Sequence, residues 1–571
     1  MAAKTLRSSR RHRPRRAGAG ARAGMVAQMV DAVVVGAGPN GLVAANLLAD
    51  AGWEVLVLEA QPQPGGGVSS AGHLGEGWTT DVCSAFYPLA ASSPVFRQLH
   101  LEDYGLKWIH AGAVLANPMG GTEAAVLRRD VQATADSLER LQPGDGEAWT
   151  RLHAMWSRVG ADVVDAVLSP FPPVKALTRL ARSVRLAGGM RLARFASLPV
   201  RRLAEEEFTG TGPGLLLAGC AVHADLPPEA APSSFFGWLL SMLGHDVGFP
   251  AVEGGAANMT AALVRRLESK GGRVQCNSRV TAIEVRANKA VAAITHTGER
   301  HPVVHAVLAD VPAPDLYGGL VTWDDLPSQL KDDISRFQWD WSTVKVDWAL
   351  RDKVPWEAPG VAEAGTVHIA ESIDSLTQYC ADVAKGYIPA EPFVLLGQLA
   401  TVDPSRAPAG AELLYGYTHV PRVVKGDAGD GSVRGVWDGA DLDAFVARLE
   451  DRIETFAPGF KSLVSHRHVM GPADLEAHDA NLAAGAINGG TAEVHQQLFF
   501  RPTPGLGRAE TPVRGLYLAS SSAHPGGGVH GACGANAARA ALAACSPIRR
   551  YAISPALHRL QRALANPGGS S

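Results

Sequence analysis

One stretch near the N-terminus, DAVVVGAGPNGLVAANLLADAGWEVLVLEA (residues 31–60), constrains the fold more than any other part of the chain. The apolar run 31–36 predicts a strand, the alanine- and leucine-rich segment 39–51 a helix, and the apolar run 54–59 a second strand. This order is a βαβ unit with a GxGxxG pattern in its first turn. It predicts a Rossmann-like fold that binds a dinucleotide.

The three glycines of GAGPNG have distinct physical roles in such a turn. Gly36 permits the tight turn, Gly38 lets a pyrophosphate approach the backbone, and Gly41 lets the helix pack closely on the strand. Pro39 and Asn40 complete the loop at the start of the helix, whose positive N-terminus faces the phosphate charge. A lone GxGxxG is weakly specific, but one placed between a strand and a helix is strongly specific.

Glu59 follows Gly41 by 18 residues and ends the second predicted strand. A carboxylate at this place can hydrogen-bond a ribose diol and disfavours a 2′-phosphate. A similar device, GLYLASSSAHPGGGVHGACGANAARAALAAC (515–545), lies near the C-terminus. It predicts a strand, a glycine-rich loop and a helix from about Val529. The two loops can meet on one ligand if a single sheet contains both distant segments.

Composition and charge restrict the class of protein. The chain has 571 residues, of which 46% are hydrophobic, a composition typical of globular proteins. Its formal net charge of -3 disfavours nucleic acid as a partner. Its six cysteines are scattered without a CxxC pair, so we predict neither a redox-active dithiol nor a metal site. We find no apolar run of about 18 residues, so we predict no membrane-spanning helix.

The first 28 residues carry eight Lys or Arg and no acid. We expect a disordered or artefactual basic leader over 1–28. A mitochondrial-type presequence, or upstream sequence before a start at Met25 or Met29, is the alternative. We expect a cytoplasmic protein, with peripheral attachment to a membrane left open.

The remaining chain predicts two interleaved domains and a tail. They are an α/β Rossmann-like dinucleotide-binding domain over 29–75, 245–315 and 501–547, an α+β substrate domain over 76–244 and 316–500, and a C-terminal tail over 548–571.

Five stretches together resemble one family of flavoproteins. They are the N-terminal unit, PQPGGGVSS (62–70), DVCSAFYPLAASSPVF (81–96), the segment 248–285, and the C-terminal device. This set is similar to the phytoene desaturase-like FAD-dependent oxidoreductases of the amine-oxidase-like superfamily. Within them it is most similar to the subgroup named pyridine nucleotide-disulfide oxidoreductase domain-containing protein 2-like. The resemblance implies bound FAD on a Rossmann-like domain of glutathione-reductase type.

The resemblance also implies which residues hold the cofactor. The ADP half would be held at Gly36, Gly38, Pro39, Asn40, Gly41 and Glu59, with Gly65 and Gly66 beside the pyrophosphate and the backbone of Val280 at the adenine. The flavin would pass Gly526, Gly527, Gly528 and Val529.

Two departures from the family pattern affect the expected site. Gly67 stands where many relatives carry an arginine after the glycine pair, so an arginine contact to the cofactor is missing. The C-terminal loop has VHG in place of the VPG of desaturases. His530 of this motif either tunes the flavin or packs on the helix start.

The sequence leaves the catalytic residues unknown, and the weak candidates are His530, His524 and His245. The pairs His223–Asp225 and His245–Asp246 are polar residues that could transfer protons near a cleft, with loop capping as the alternative.

The arginine-rich segment 174–208 mixes apolar residues with basic ones and has no acid before Glu205. It predicts either an interfacial helix on an anionic membrane or a helical cap with a solvated basic face.

We therefore predict an FAD-dependent oxidoreductase. Its reaction would be a two-electron oxidation (dehydrogenation or desaturation), or a flavin-assisted isomerisation, of a largely apolar small molecule. One alternative is an amine-oxidase-type enzyme with an aromatic pair beside the flavin, drawn from Tyr415, Tyr417 and Trp437. The other is a non-catalytic flavoprotein that acts through a protein partner.

Overall fold

The computed structural model describes residues 29–545. The predicted leader over 1–28 and the predicted tail over 548–571 lie outside the described residues.

The strands, in chain order, are β1 (Val30–Val35), β2 (Val55–Leu58), β3 (Ser70–Ala71), β4 (Thr80–Asp81), β5 (Trp108–Ile109), β6 (Ala113–Gly120), β7 (Glu123–Leu127), β8 (Ala251–Val252), β9 (Arg273–Gln275), β10 (Val280–Arg286), β11 (Lys289–Thr295), β12 (Arg300–Ala309), β13 (Ser342–Leu350), β14 (Ala364–Ile369), β15 (Tyr387–Ile388), β16 (Val394–Gln398), β17 (Glu412–Val420), β18 (Gly426–Asp427), β19 (Val464–Met470) and β20 (Leu516–Leu518).

The α-helices are α1 (Pro39–Asp50), α2 (Pro88–Ser92), α3 (Pro94–Leu99), α4 (Val131–Leu141), α5 (Asp145–Leu168), α6 (Val174–Ser197), α7 (Val200–Glu207), α8 (Gly212–Val222), α9 (Ser233–Asp246), α10 (Ala257–Ser269), α11 (Ala313–Leu316), α12 (Ser328–Ser335), α13 (Ile373–Lys385), α14 (Leu399–Val402), α15 (Gly439–Phe456), α16 (Phe460–Leu463), α17 (Pro472–His478) and α18 (Ala532–Cys545).

The first sheet joins strands from both ends of the chain. Its order is β10-β11-β12-β1-β2-β9, and β20 pairs with β12. The pairs β1–β12, β1–β2, β2–β9 and β12–β20 are parallel, whereas β10, β11 and β12 form an antiparallel meander. The central strand β1 is an almost continuous buried apolar run because helices or loops cover both faces of a parallel sheet.

Helix α1 is apolar on every side, and ten of its twelve residues are buried. It packs against α10 and α18 as well as against the sheet, which is why it lacks a polar face. The two glycine-rich devices predicted from the sequence are therefore neighbours in the fold. This confirms the predicted α/β class with a Rossmann-like domain.

The second sheet carries the rest of the apolar core and has the order β19-β13-β17-β16-β14-β6-β7. It is antiparallel except for the pair β14–β6. The side chains of α15 pack on one part of this sheet, and those of α5, α8 and α9 pack on another. The boundaries proposed between the two domains stay a prediction.

Three predicted helices have different limits in the structure. From the sequence alone, helix is predicted near 133–168 and near 173–206. The first of these ranges contains two helices, α4 and α5, because Gly144 adopts a left-handed φ of 94° between them. The helix expected over 173–206 divides into α6 and α7, since Pro199 cannot continue a helix. The C-terminal helix begins at Ala532 rather than near Val529, after Gly531 at φ 67°.

Among residues 29–545, no helix is long and apolar enough to cross a membrane, and no group of three or more His, Cys, Asp or Glu could hold a metal ion.

Candidate functional site

The first glycine loop forms a tight backbone cradle at the start of α1. A Cβ on Gly41 would lie 2.2 Å from the carbonyl oxygen of Gly36, so a side chain there would collide with the backbone. Gly36 has φ 95°, a conformation that other residues rarely adopt. Gly38, at the N-cap of α1, has no side chain that could cap the helix, while the Gly41 N–H of the first turn donates to Asp310. The helix dipole favours an anion at the remaining part of this N-terminus.

Asn40 gives a direct test of whether a dinucleotide fits. Its Oδ1 atom is buried and has no hydrogen-bond partner in the described part of the chain, and Asn40 lines the central cavity. A buried unpaired amide is costly unless a ligand satisfies it. Because the amide can turn either end to a ligand, the loop residues fit the phosphates of a dinucleotide.

Glu59 lies at the carboxyl end of β2 and is buried. Its Oε2 accepts a hydrogen bond from the Ala37 N–H at 2.7 Å, and its Oε1 accepts one from the Gln61 N–H at 2.8 Å. The carboxylate thus fixes the glycine loop, and its remaining lone pairs are free for a diol. Val280 begins β10 nearby, since Ser278 just before it donates from its N–H to the Glu59 carbonyl at 2.7 Å.

The second glycine pair lies directly beside the first loop. The N–H of Gly65 donates to the Ala37 carbonyl at 3.0 Å. A Cβ on Gly66 would lie 2.9 Å from Asp479 Oδ2 and 3.5 Å from the Cα of Gly38. The two loops therefore form one continuous backbone surface.

Asp310 is a residue of this site that the sequence reasoning missed. It follows β12, and its Oδ2 accepts the Gly41 N–H at 2.7 Å. Burial, with further contributions from Asp479 and Glu59, raises the pKa of Asp310 to about 8. Its position at the carboxyl end of a parallel strand, beside the first loop, was the available signal.

The C-terminal device closes on the first loop from the other side. A Cβ on Gly534 in α18 would lie only 1.9 Å from the carbonyl oxygen of Asn40. Gly526 packs on the guanidinium of Arg501, and a Cβ at this position would lie 3.2 Å from Arg501 Cζ. Arg501 is fully buried and donates to carbonyl oxygens of residues 488–491 and of Ser521.

A cavity of about 400 Å³ lies where the two sheets meet. The glycine devices contribute Gly38, Pro39, Asn40, Gly527, Gly528, Val529 and His530 to its lining. The wall on the side of the second sheet is largely apolar and contains the polar residues His223, Lys345, His368, Tyr415 and Tyr417. As far as residues 29–545 define it, the lining does not include Gly36, Gly41, Glu59, Gly65, Gly66, Val280, Gly526, His524 or His245.

The three histidine candidates have different surroundings. His530 lines the cavity, and its Nδ1 accepts the Ala532 N–H at 3.0 Å, so it caps α18; burial lowers its pKa to about 4. His524 lies 3.1 Å from the Ser169 carbonyl oxygen, beside a separate small pocket. His245 is held by the Trp149 indole N–H at 2.9 Å, away from the cavity, which favours a packing role.

The polar residues of the wall were only partly anticipated. Lys345 is 2% exposed, forms an ion pair with Asp347 and donates to the Asp81 carbonyl at 2.8 Å. Two charged residues two positions apart in an otherwise apolar strand, STVKVDWAL, place both on one face, which is the signal that the sequence offered. Tyr415 and Tyr417 both line the cavity, with ring centroids 5.9 Å apart at 70°. Trp437 instead packs on Phe445.

Comparison with known proteins adds independent information. Residues 34–102 match the family model described as an NAD(P)-binding Rossmann-like domain. Pyridine nucleotide-disulfide oxidoreductase domain-containing protein 2 of Rattus norvegicus is 26% identical over 549 residues, covering 89% of this chain and 92% of that protein. A lycopene-forming phytoene desaturase of a Paracoccus species is 24% identical over 532 residues, covering 89% and 96%.

Over most of its length the chain is similar to the phytoene desaturase-like FAD-dependent oxidoreductases. A crystal structure of an oxidoreductase from Methanosarcina mazei has the same fold, with a TM-score of 0.59 at 15% identity, covering 90% of this chain and 99% of that one. FAD is accordingly the cofactor of this phytoene desaturase-like chain, and the predicted enzyme class is confirmed.

Proposed function

We propose that the cavity receives a largely apolar small molecule beside the flavin and that the chain catalyses its two-electron oxidation. The observation that carries this proposal is the shared lining: backbone of both glycine devices and side chains of the second sheet border the same space. A relative named for phytoene desaturation supports an apolar substrate. FAD, when bound, supplies the electron acceptor.

The residues of the chain perform the binding and exclusion steps. Leu239, Leu395 and Leu396 give the wall its apolar character and keep water from the reacting part of the substrate. The N-terminus of α18 begins beside Val529 and His530, so its dipole stabilises negative charge near that part of the cavity. Burial lowers the pKa of His530 to about 4, so its imidazole is neutral near pH 7.

The experiment is the visible absorption spectrum of the purified protein before and after unfolding, followed by anaerobic reduction with apolar candidates. We expect flavin bands that are released on denaturation and that bleach with an apolar alcohol, amine or polyene. A folded protein that stays colourless after FAD is added would contradict the cofactor. A flavin that no apolar compound reduces would contradict the substrate class.

We also infer a peripheral membrane contact through the predicted segment 174–208. Val174, Leu177 and Met190 of α6 are exposed, at 63%, 47% and 72%. Helix α6 follows Val167 and Leu168, which line the cavity, so an apolar substrate could enter from this side. The ion pairs of Arg179 with Asp162 and Asp165 of α5 lower the attraction of this arginine for anionic lipid, which counts against the membrane contact.

A further inference from the structure

Three hydrogen-bonding side chains, Tyr417, His223 and His368, lie together on the largely apolar wall of the cavity. The strand order β17-β16-β14 places Tyr417, Leu395 and His368 side by side, because Leu395 pairs in register with both of the others. All three line the cavity, and Cys220, Phe236 and Leu239 continue the apolar surface around them.

His223 connects the two polar members of this row. It follows directly after α8, and its Nδ1 lies 3.0 Å from the Tyr417 hydroxyl. Its Nε2 lies 2.8 Å from Nε2 of His368. The result is a linear chain of hydrogen bonds from Tyr417 through His223 to His368, here called the Tyr–His–His chain.

The fold holds the inner end of the chain rigidly. His368 is only 1% exposed, and a Cβ on Gly219 of α8 would lie 2.3 Å from its Nδ1. A glycine at this position makes the room that the imidazole occupies. His368 Nδ1 has no hydrogen-bond partner within residues 29–545. An apolar side chain in place of His368 would avoid this cost, so packing alone does not account for the chain.

The three groups are all neutral near pH 7. Burial lowers the pKa of His223 to about 3 and holds the pKa of His368 well below its ordinary value. Burial also raises the pKa of the Tyr417 hydroxyl above its usual range. A neutral imidazole carries one N–H and one bare nitrogen, so a single proton lies between the two histidines.

That proton can lie on either histidine, with opposite consequences for Tyr417. If His223 donates to His368, the bare Nδ1 of His223 accepts the tyrosine O–H, and the phenol oxygen offers only lone pairs to the cavity. If His368 donates instead, His223 donates from Nδ1 to the phenol oxygen, and the tyrosine O–H is free to donate. Tyr417 can therefore accept a hydrogen bond from a hydroxyl group or donate one to a carbonyl group without any group becoming charged.

We propose that Tyr417, supported by His223 and His368, binds one hydroxyl or carbonyl group on an otherwise apolar substrate. The Tyr–His–His chain thus selects an oxygen-bearing lipophile, either alcohol or ketone, over a pure hydrocarbon. This inference rests on the proposed function, because it assumes that the cavity is the substrate site. Tyr417 is partly accessible in the cavity, as a group in contact with substrate must be.

The test measures binding of three probes of equal chain length to the FAD-loaded protein: 2-decanol, 2-decanone and decane. Dissociation constants come from perturbation of the flavin spectrum. Tyr417→Phe should raise the dissociation constants of 2-decanol and 2-decanone about five- to tenfold, as expected for one lost hydrogen bond. The dissociation constant of decane should not change. Tyr387→Phe, at an exposed position outside the lining within residues 29–545, is the matched control and should change none of the three.

A second measurement does not depend on affinity. The infrared carbonyl band of bound 2-decanone should lie at lower wavenumber in the wild type than in Tyr417→Phe, since the tyrosine O–H polarises the carbonyl. Equal weakening of all three probes, or an unchanged carbonyl band, would overturn the role of Tyr417 while leaving the proposed function intact. Failure of every probe to bind a folded, FAD-loaded wild type would overturn both.

Discussion

The contact between α18 and the first glycine loop makes Gly534→Ala a sensitive perturbation of the cofactor site. The added Cβ would lie 1.9 Å from the Asn40 carbonyl oxygen, whereas ordinary contact begins near 3.4 Å. Helices α1 and α18 would have to separate by about 1.5 Å, since both colliding atoms belong to rigid backbone. Overpacking typically costs about 1–3 kcal/mol, and we expect the upper end here. Because the displaced loop is the one that we assign to FAD, a cost near 3 kcal/mol should lower FAD affinity by at least tenfold.

The assay is the ratio of flavin to protein after gel filtration, with FAD titration and thermal unfolding on the same samples. Gly439→Ala is the matched control, because a Cβ at the start of α15 meets no described atom within 4 Å and its φ is ordinary. We expect the control to retain FAD and to be as stable as the wild type, or slightly more so. If Gly534→Ala keeps full FAD content and an unchanged Tm, α18 does not position the loop as described.

Three further results are expected. The Asp310 carboxyl has a folded pKa of about 8, above its unfolded value of about 4, so its stabilising contribution is complete below pH 4 and is lost as pH rises to about 8. Asp310→Asn should flatten this fall in the free energy of unfolding, measured by urea titration between about pH 5 and 8. Arg501→Lys should cost about 3 kcal/mol, because several buried carbonyls lose charged donors; an unchanged Tm would contradict this. Met190→Glu should reduce cosedimentation with anionic vesicles about tenfold, and a wild type that does not sediment with them would end the membrane proposal.

The sequence predicted the two glycine loops because backbone geometry determines them, whereas the assignment of their residues to FAD stays a prediction. The glycines at 36, 38 and 41 restrict the chain to one turn, and the short distance to Glu59 fixes the βαβ unit around it. The C-terminal device was predicted as a strand, loop and helix from local composition alone. Gly534 of this segment packs against Asn40 of the first loop. That the two loops meet was expected only on the condition that one sheet contains both segments.

The substrate half could not be predicted in the same way, because its residues meet only through strand register. Tyr417, His223 and His368 are separated by up to 194 residues, and no spacing rule relates them. His223 was noted together with Asp225, yet Asp225 instead lies 3.1 Å from His419. Asp310 was missed because it precedes a proline-containing turn and belongs to no glycine motif.

The pairing of β20 with β12 has a consequence for synthesis of the chain. A ribosome makes the first βαβ unit early, but the strand and helix that complete its apolar surroundings follow only after Leu516. Until then the buried face of α1 has no α18 to cover it, and such exposed apolar surface favours aggregation. The cofactor loop can reach its final form only when translation is almost complete. Premature termination anywhere before Leu516 should therefore yield an insoluble product rather than a partly active one.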